Sequence, residues 1–308
     1  AGSDGEVADA LGRSRLGVKI QDGCNHRCTY CIVWKARGPE RSVPVESVLE
    51  QVREAQEAGV PEVVLTGVNL GAYDGKSATD EHVEIDELLE AIMERTAIPH
   101  VRISSVEPMD ISEPLLKVMA RYPQRIAPFL HLPVQSGCDR VLRAMNRPYD
   151  RARYLELITY ARKVMPDLVL TSDVIIGFPG ETEAEAMETV DLVRQVEFDA
   201  LFTFIFSPRP GTPAAKMDDP VPRAEKQKWF DILCSTQNEI SARLHAGYVG
   251  RTLRVLVDGE TDDARWPLSA RTAGGRLVHL VGDKSALGQY WDVKITDSNT
   301  WALFGEMV

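Results

Sequence analysis

The sequence lacks an apolar run long enough to cross a bilayer. None of its 308 residues lies in an uninterrupted apolar stretch that approaches the roughly 20 residues a membrane-spanning helix needs. The opening AGSDGEVADALGRSR also has no apolar core of the kind that marks a secretory signal. We therefore expect a cytoplasmic protein with no membrane partner, and we expect residues 1–15 to be a linker.

Basic residues are also scarce, with 35 Lys and Arg against 46 Asp and Glu and a net charge of −11. Affinity for nucleic acid ordinarily comes from Lys and Arg that displace counterions from phosphates. Composition alone therefore argues against an extended phosphate-binding surface. Many of the acids lie in residues 80–94, in the pattern of a solvated helix face, so a local basic site elsewhere is compatible with the sequence.

Cysteine is scarce as well, and three of the five cysteines lie within eight residues, in the segment GCNHRCTYC. Cys24, Cys28 and Cys31 form a C-x3-C-x2-C spacing directly after the first predicted strand. Structural zinc needs a fourth ligand, for which His26 is badly placed in the same loop, and disulfides are rare in the cytoplasm. Three thiolates instead suit a [4Fe–4S] cluster whose fourth iron stays open to the amino and carboxylate groups of S-adenosylmethionine (SAM).

Short β-branched or apolar runs alternate with amphipathic stretches from residue 16 to about residue 207. This pattern is typical of repeated βα units with a parallel sheet, which gives an α/β fold. Six parallel strands with short connections close only part of a TIM-like barrel, a partial (βα)6 barrel, and ligands bind at the carboxyl ends of such strands. The predicted strands are 16–20, Glu62–Thr66, 100–104, 129–134, Val169–Ile176 and 200–206.

Helix signals separate the predicted strands. Ser42 is predicted to cap a helix that begins at Pro44, because Ser is a common N-cap and Pro is common in the first turn. Thr182 followed by Glu185 is predicted to form a capping box at the start of another helix. These signals place the predicted helices in the connections between strands.

A change of pattern divides the chain near residue 246. A long helical pattern from 222 to about 245 closes the first domain, which we place at residues 16–246. Residues 251–308 then contain several short strand patterns separated by glycine-rich turns such as GGR at 274–276. Such a series predicts a small all-β barrel, and we assign it to a second domain over residues 247–308.

The segments at the predicted strand ends resemble motifs of the radical SAM methylthiotransferase family. The resemblance rests on the cysteine loop, with an aromatic residue before its last cysteine, and on LTGVNLG, RISSVEP, LHLPVQSG, TSDVIIGFPGET and SPRPGTPAAKM. It covers nearly all of residues 16–308, and the C-terminal segment is similar to the TRAM domain of these enzymes. The resemblance implies a [4Fe–4S] cluster on Cys24, Cys28 and Cys31 as the catalytic centre, with SAM as the second cofactor.

The resemblance also implies a set of binding residues. For the strand-end residues a capping or turn role is an alternative, and for Arg209 a solvated position is an alternative. The implied SAM-binding residues are Tyr30, Thr66, Gly67, Asn69, Glu107, Gln135, Ser136, Asp173 and Gly177. The implied RNA or phosphate contacts are Arg209, Arg251 and Arg254.

Members of this family that act on RNA add a methylthio group to an adenosine at tRNA position 37. The cysteine-loop segment and TSDVIIGFPGETEAEAMET look most like the MtaB branch, which acts on C2 of N6-threonylcarbamoyladenosine. The SPRPGTPAAKM loop and the TRAM-like segment look more like the MiaB branch, which acts on N6-isopentenyladenosine. We predict the threonylcarbamoyl substrate, with the isopentenyl substrate as the alternative and a non-catalytic RNA-binding module as an alternative of another class.

The resemblance implies chemistry in which one electron cleaves SAM to a 5′-deoxyadenosyl radical. The implied partners are the anticodon stem-loop of tRNA and an electron donor such as a flavodoxin or ferredoxin.

One part of the family pattern is missing from this sequence. The family carries an N-terminal domain whose three cysteines hold a second [4Fe–4S] cluster, and no cysteine precedes Cys24. Cys138 and Cys234 lie far apart in helical patterns, and we expect both to be small apolar core residues. We therefore expect a fragment without that domain, or else an enzyme limited to SAM cleavage or another radical reaction, and a second cluster only in the missing domain.

Overall fold

The computed structural model describes residues 14–308. The linker expected at residues 1–15 lies outside the described residues except for its last two positions, and Arg15 already begins a strand. In chain order the strands are β1 (Arg15–Lys19), β2 (Gln21–Asp22), β3 (Arg41–Ser42), β4 (Glu62–Thr66), β5 (Asp74–Lys76), β6 (His82–Glu84), β7 (His100–Ile103), β8 (Phe129–His131), β9 (Val169–Ile176), β10 (Ala200–Ile205), β11 (Thr252–Glu260), β12 (Leu268–Thr272), β13 (Leu277–Val281), β14 (Tyr290–Ser298) and β15 (Leu303–Met307). The helices are α1 (Val33–Arg37), α2 (Val45–Glu57), α3 (Ile85–Arg95), α4 (Glu113–Arg121), α5 (Asp139–Ala144), α6 (Arg151–Val164), α7 (Glu183–Val196) and α8 (Arg223–Ala246).

Six strands of the described chain run parallel and form a partial barrel. The first half has the order β1-β4-β7, the second has the order β8-β9-β10, and the pairing within each half is parallel. Parallel bridges from Val101 to Ile126 and from Ser105 to His131 join the two halves. The predicted partial (βα)6 barrel is confirmed, and β1 and β10 are its two edges.

The predicted and observed strands agree closely but not everywhere. Glu62–Thr66 and Val169–Ile176 match residue for residue. The fourth strand was predicted over 129–134 but ends at His131. Pro133 explains the difference, because proline has no N–H to donate to the ladder. The shorter strand leaves the following residues free to form the wall of the candidate site described below.

The helices pack on the outside of the parallel sheet. The face of α2 is buried as its apolar spacing requires, but its N-cap is Pro44, with no side-chain hydrogen bond. The predicted Ser42 cap is therefore wrong: Ser42 lies in β3, and its Oγ accepts a hydrogen bond from the Asp74 N–H at 2.9 Å. The predicted capping box of Thr182 and Glu185 is confirmed. Between residues 14 and 308, no helix is long and apolar enough to span a membrane.

The two isolated cysteines differ from each other. Cys138 is the N-cap of α5 and is buried in an apolar cluster that includes Phe178 and Phe206, so its predicted core role is confirmed. Cys234 lies in α8, is only partly buried, and has its Sγ 3.5 Å from the Thr203 Oγ1. The expectation of a core role was wrong for Cys234.

The C-terminal domain is a closed barrel with the strand order β11-β12-β13-β15-β14. It packs against the amino ends of the parallel strands, where the Arg102 guanidinium donates to the Ala273 carbonyl oxygen at 2.7 Å. Buried Glu62 accepts hydrogen bonds from both Arg102 and His100. Burial tends to raise the pKa of Glu62, but these partners outweigh burial and hold its pKa at about 2. The small barrel is thus fixed at the end of the parallel barrel opposite the strand carboxyl ends.

Candidate functional site

The three clustered cysteines lie in one loop between β2 and α1, at the carboxyl end of the first parallel strand. The loop begins at Gly23, whose φ is +79°. A Cβ at this position would lie 2.0 Å from the Pro39 carbonyl oxygen, so a side chain is sterically excluded. The next residue, Cys24, donates its N–H to the Gly38 carbonyl oxygen at 3.1 Å. The start of the cysteine loop therefore packs against Gly38 and Pro39, which precede β3.

The middle of the cysteine loop is held by the end of α5. The Thr29 N–H donates to the Met145 carbonyl oxygen at 3.0 Å, and the Thr29 hydroxyl donates to the Ala144 carbonyl oxygen at 2.8 Å. The Asn146 side-chain amide donates to the Arg27 carbonyl oxygen at 3.0 Å. These bonds join segments that are more than a hundred residues apart in the chain, and they fix the path of the loop between its cysteines.

A buried guanidinium lies directly beside the second cysteine of the loop. The side chain of Arg147 is fully buried, and its Nη1 lies 3.3 Å from the Cys28 Sγ. It also donates to the Tyr149 hydroxyl at 3.0 Å, to the Pro133 carbonyl oxygen at 3.1 Å and to the Glu107 carboxylate. Arg147 was not predicted as a site residue. The signal in the sequence is an arginine in MNRPYD, which no strand or helix pattern explains.

The thiols of the loop are partly withdrawn from solvent. Burial raises the pKa of the Cys24 thiol to about 11, and it also raises the pKa of Cys31. The Val33 N–H donates to the Cys31 Sγ at 3.4 Å. Because iron and other metals bind the thiolate, metal loading must displace protons from these thiols.

The cysteine loop is joined to the loop after β4 by a buried glutamine. Gln21 donates from Nε2 to the Gly23 carbonyl oxygen at 2.9 Å, and its Oε1 accepts from the N–H groups of Val68 at 3.0 Å and Asn69 at 2.9 Å. The Asn69 side-chain amide donates to Glu40, whereas its buried Oδ1 has no partner within residues 14–308. Gln21 was not predicted, although a polar residue that interrupts an apolar run was the available signal. The unpaired Asn69 oxygen is an acceptor for a donor group at the site.

A cavity of about 300 Å³ adjoins the third cysteine. Gln135 on its wall has φ +67°, which is uncommon for a residue other than glycine. Its backbone holds this conformation by accepting from the Ile175 N–H at 2.9 Å and donating to the Asp173 carbonyl oxygen at 2.9 Å. Backbone strain that the surroundings maintain is typical of functional sites. The lining residues are Tyr30, Cys31, Gln135, Asp173, Ile175, Phe204, Ile205, Phe206, Ser207 and Arg209.

Two predicted binding residues face away from this cavity. Ser136 is fully buried, and its hydroxyl lies 3.3 Å from the Thr189 Oγ1 on α7. Gly177 has φ +71°, and a Cβ there would lie 2.4 Å from the Lys226 Cδ. The Gly177 carbonyl oxygen accepts from the Lys226 Nζ at 2.7 Å. Both residues therefore contact helices behind the sheet, and their observed contacts are structural.

The remaining predicted residues are distributed over three places. Thr66 and Gly67 end β4, and Gly67 packs against Gln21 and Leu70 without lining the cavity. Glu107 contacts Arg147, as described above. The other two lie on the C-terminal barrel, where their guanidinium groups contact tyrosine rings: Arg251 on Tyr248 and Arg254 on Tyr290. These two arginines are thus remote from the cysteine loop.

A buried carboxyl group supports the turn after β9. Glu181 accepts hydrogen bonds from the N–H groups of Gly177 and Phe178, and the second bond is 3.1 Å long. Burial raises the pKa of Glu181 to about 7. Because its folded pKa exceeds the unfolded value of about 4.3, the folded state binds this proton more tightly, and stability decreases as pH rises from about 4 to 7.

Replacing Glu181 by Gln is expected to raise the free energy of unfolding at pH 8 by about 1–3 kcal/mol, and to change it little at pH 4.5. The substitution keeps one oxygen that can accept the two N–H bonds and removes the buried charge. Urea unfolding at the two pH values measures the effect. Glu183→Gln, at an exposed position of the same segment, is the control and should show no such pH dependence. An equal gain at both pH values would contradict the assignment.

The donor set fits an iron–sulfur cluster better than a single metal ion. No group of three His, Cys, Asp or Glu side chains in the described part of the chain is arranged to hold one metal ion. A [4Fe–4S] cube instead takes each thiolate on a different iron, so three separated thiols in one loop suit it. The cavity that adjoins Cys31 provides space for a SAM molecule. The buried Asn69 oxygen, in the loop after β4, does not line that cavity and is an unpaired acceptor in the described residues.

The fold and the site together define a class of protein: a partial barrel with an iron–sulfur-type cysteine loop at the carboxyl end of its first strand. Comparison with known families agrees. The radical SAM superfamily matches residues 18–193, and the TRAM domain matches residues 247–308.

Known relatives are similar to nearly the whole of this chain. The chain is 42% identical over 310 residues to the tRNA-2-methylthio-N(6)-dimethylallyladenosine synthase of Anoxybacillus flavithermus, covering 99% of this chain and 58% of the relative. It is 41% identical to the enzyme of that name from Bacillus subtilis, with 99% and 60% covered. The chain belongs to the radical SAM superfamily, whose model matches more than half of its residues. It spans about 60% of the length of these relatives.

Solved structures confirm the fold at low sequence identity. Coproporphyrinogen III oxidase (HemN) from Escherichia coli has a TM-score of 0.55 at 16% identity, with 98% of this chain and 73% of that chain covered. The radical SAM methyltransferase TsrM from Kitasatospora setae has a TM-score of 0.55 at 16% identity, with 68% and 39% covered. At this identity the likeness concerns the fold alone.

Proposed function

We propose that the chain is the SAM-cleaving and RNA-binding part of an enzyme that adds a methylthio group to C2 of N6-dimethylallyladenosine, which is N6-isopentenyladenosine, in tRNA. The observation that carries this proposal is the loop of three cysteines beside the cavity at the carboxyl ends of the strands. The names of the relatives supply the substrate. These names do not support the threonylcarbamoyl substrate that we predicted from the sequence. We therefore propose the alternative, the dimethylallyl substrate, in its place.

Each side chain of the site has a definite task in this proposal. Cys24, Cys28 and Cys31 would hold the [4Fe–4S] cluster, and the Asn69 oxygen would accept a hydrogen bond from the SAM amino group. When bound, the cluster supplies the electron that cleaves SAM. The Asp173 carboxylate, which is partly exposed at the cavity, is suited to accept hydrogen bonds from ribose hydroxyls.

The partners follow from the same proposal. The anticodon stem-loop of a cytoplasmic tRNA would approach the open carboxyl ends, with the target adenosine unstacked so that it reaches the cavity. The TRAM domain, with Arg251 and Arg254, would contact the RNA at the other end of the barrel, and Arg209 is placed to meet a phosphate at the cavity. A flavodoxin or ferredoxin would supply electrons. The second [4Fe–4S] cluster of the family would belong to the part of the relatives that this chain does not span.

Anaerobic reconstitution with iron and sulfide tests the proposal. We expect about four irons per chain and production of 5′-deoxyadenosine from SAM under reduction. Cys28→Ala should lose both, whereas Cys234→Ala, which changes a cysteine outside the loop, should keep both. Iron binding that is indifferent to Cys28 would refute the proposal and leave a non-catalytic RNA-binding module as the better interpretation.

A further inference from the structure

The edge strand β10 presents an apolar face to the interior of the parallel barrel. Its side chains alternate: Leu201 and Thr203 face helix α8, whereas Phe202 and Phe204 are 57% and 53% exposed. Large aromatic side chains are mostly buried in soluble proteins. Two of them exposed side by side on one face ordinarily mark a binding surface.

The neighbours of these two rings show which way they point. In the parallel register, Phe202 lies beside Asp173 and Phe204 lies beside Ile175 on β9. The Phe202 and His131 rings pack in a T-shaped arrangement, with 5.6 Å between ring centroids. Phe204 lines the 300 Å³ cavity that also contains Cys31. The apolar face therefore continues from the candidate SAM site toward the middle of the barrel.

Charged groups are unevenly distributed along this surface. Arg209 lines the cavity, in the loop that follows the carboxyl end of β10. Toward the middle of the barrel, beside Phe202, lies Asp173, whose carboxylate is 3.4 Å from the His131 Nε2. His131 in turn contacts the Thr171 hydroxyl through Nδ1 at 2.8 Å. A second carboxylate brought to Phe202 would meet Asp173 and two phenyl rings, and burial there would be unfavourable.

We propose that Phe202 and Phe204 bind the N6 dimethylallyl chain of the substrate nucleoside and thereby determine which modified adenosine the site accepts. This inference rests on the proposed function. A branched five-carbon chain gains from contact with the two rings, whereas the threonylcarbamoyl group would bring a carboxylate and a hydroxyl to the same surface. The chemistry of β10 thus selects an apolar N6 substituent.

The test compares anticodon stem-loop RNAs that carry adenosine, N6-dimethylallyladenosine or N6-threonylcarbamoyladenosine at position 37. Dissociation constants are measured by fluorescence anisotropy with the anaerobically reconstituted chain and SAM. We expect the unsubstituted chain to bind the dimethylallyl RNA roughly tenfold more tightly than the adenosine RNA. The double variant Phe202→Ala with Phe204→Ala should lose that preference. Both positions are exposed, so the fold should tolerate the change, and a thermal melting curve checks this.

Ile232→Ala is the matched control, because Ile232 is 40% exposed on α8, outside the barrel interior, and its loss should leave the preference intact. A preference that survives the double variant would overturn the inference. Equal or tighter binding of the threonylcarbamoyl RNA, sensitive to Arg209→Gln, would also overturn it. Equal loss of affinity for all three RNAs in the double variant would also overturn the inference, because the two rings would then contact a part of the RNA that all three share. Production of 5′-deoxyadenosine by the unsubstituted chain tests the proposed function separately, so the two failures are distinguishable.

Discussion

Replacing Arg147 by Met is expected to lower the free energy of unfolding by about 3 kcal/mol and to shift the reduction potential of a reconstituted cluster to a more negative value. The stability effect follows from burial. The Arg147 side chain is fully buried, and its guanidinium pairs with Glu107, whose carboxylate is itself largely buried. Removing one partner of such a pair leaves the other charge without compensation.

The expected shift in the reduction potential of the cluster follows from the contact between Arg147 and Cys28. A positive charge and an N–H donor 3.3 Å from the Sγ stabilise the extra negative charge of a reduced cluster. Met fills similar volume but supplies neither the charge nor the donor. Urea unfolding of the metal-free chain measures the first effect, and a redox titration followed by electron paramagnetic resonance measures the second.

Two further variants separate the roles of Arg147. The double variant Glu107→Gln with Arg147→Met should recover part of the lost stability, because no unpaired carboxylate remains. It should also recover part of the potential shift, because a nearby negative charge is removed as well, while the missing N–H donor to Cys28 keeps the potential below that of the parent. Arg147→Lys keeps the charge without the planar fork of donors, so it should lie between the parent and Arg147→Met in both measurements. An unchanged potential in Arg147→Met would show that the contact with Cys28 has only a structural role.

The sequence predicts the architecture well because the relevant signals are local. Short runs rich in β-branched and apolar residues predict strands, and Glu62–Thr66 (EVVLT) was identified residue for residue for this reason. The cysteine spacing is likewise contained in one short loop. The wrong prediction of the Ser42 cap shows the limit of local signals. Ser42 pairs with β2 as part of β3, and its hydroxyl oxygen accepts from the Asp74 N–H, so it does not cap the helix.

The site itself was only partly predictable, because its key contacts join distant parts of the chain. Arg147 and Cys28 are 119 residues apart, and Gln21 and Asn69 are 48 residues apart. No spacing rule connects such pairs before the barrel brings them together. The prediction of the substrate also depended on local signals. The cysteine-loop segment and TSDVIIGFPGETEAEAMET favoured the threonylcarbamoyl branch, whereas Phe202 and Phe204, which we infer to contact the N6 substituent, lie within a strand pattern.

Gly23→Ala is expected to destabilise the chain by about 2–4 kcal/mol and to abolish retention of iron by the reconstituted loop. The φ of +79° is unfavourable for alanine, and its Cβ would lie 2.0 Å from the Pro39 carbonyl oxygen and 2.6 Å from the Pro39 carbonyl carbon. Both contacts are with backbone, so no side-chain rotation relieves them. The loop must move at its first residue, which carries Cys24 away from its bond to Gly38.

Gly180→Ala is the control that separates the effect of the steric clash at Gly23 from the effect of a left-handed backbone conformation. Gly180 has a similar φ of +71°, but a Cβ there has nothing within 4 Å in the described residues. Gly180→Ala should therefore show only the cost of a left-handed alanine, about 1–2 kcal/mol, with normal iron content. Iron per chain after anaerobic reconstitution, compared with urea unfolding of both variants, measures the difference. If Gly23→Ala retained about four irons, the cysteine loop would have to tolerate a different path between β2 and β3, and the close packing at Pro39 would not be what positions Cys24 for the cluster.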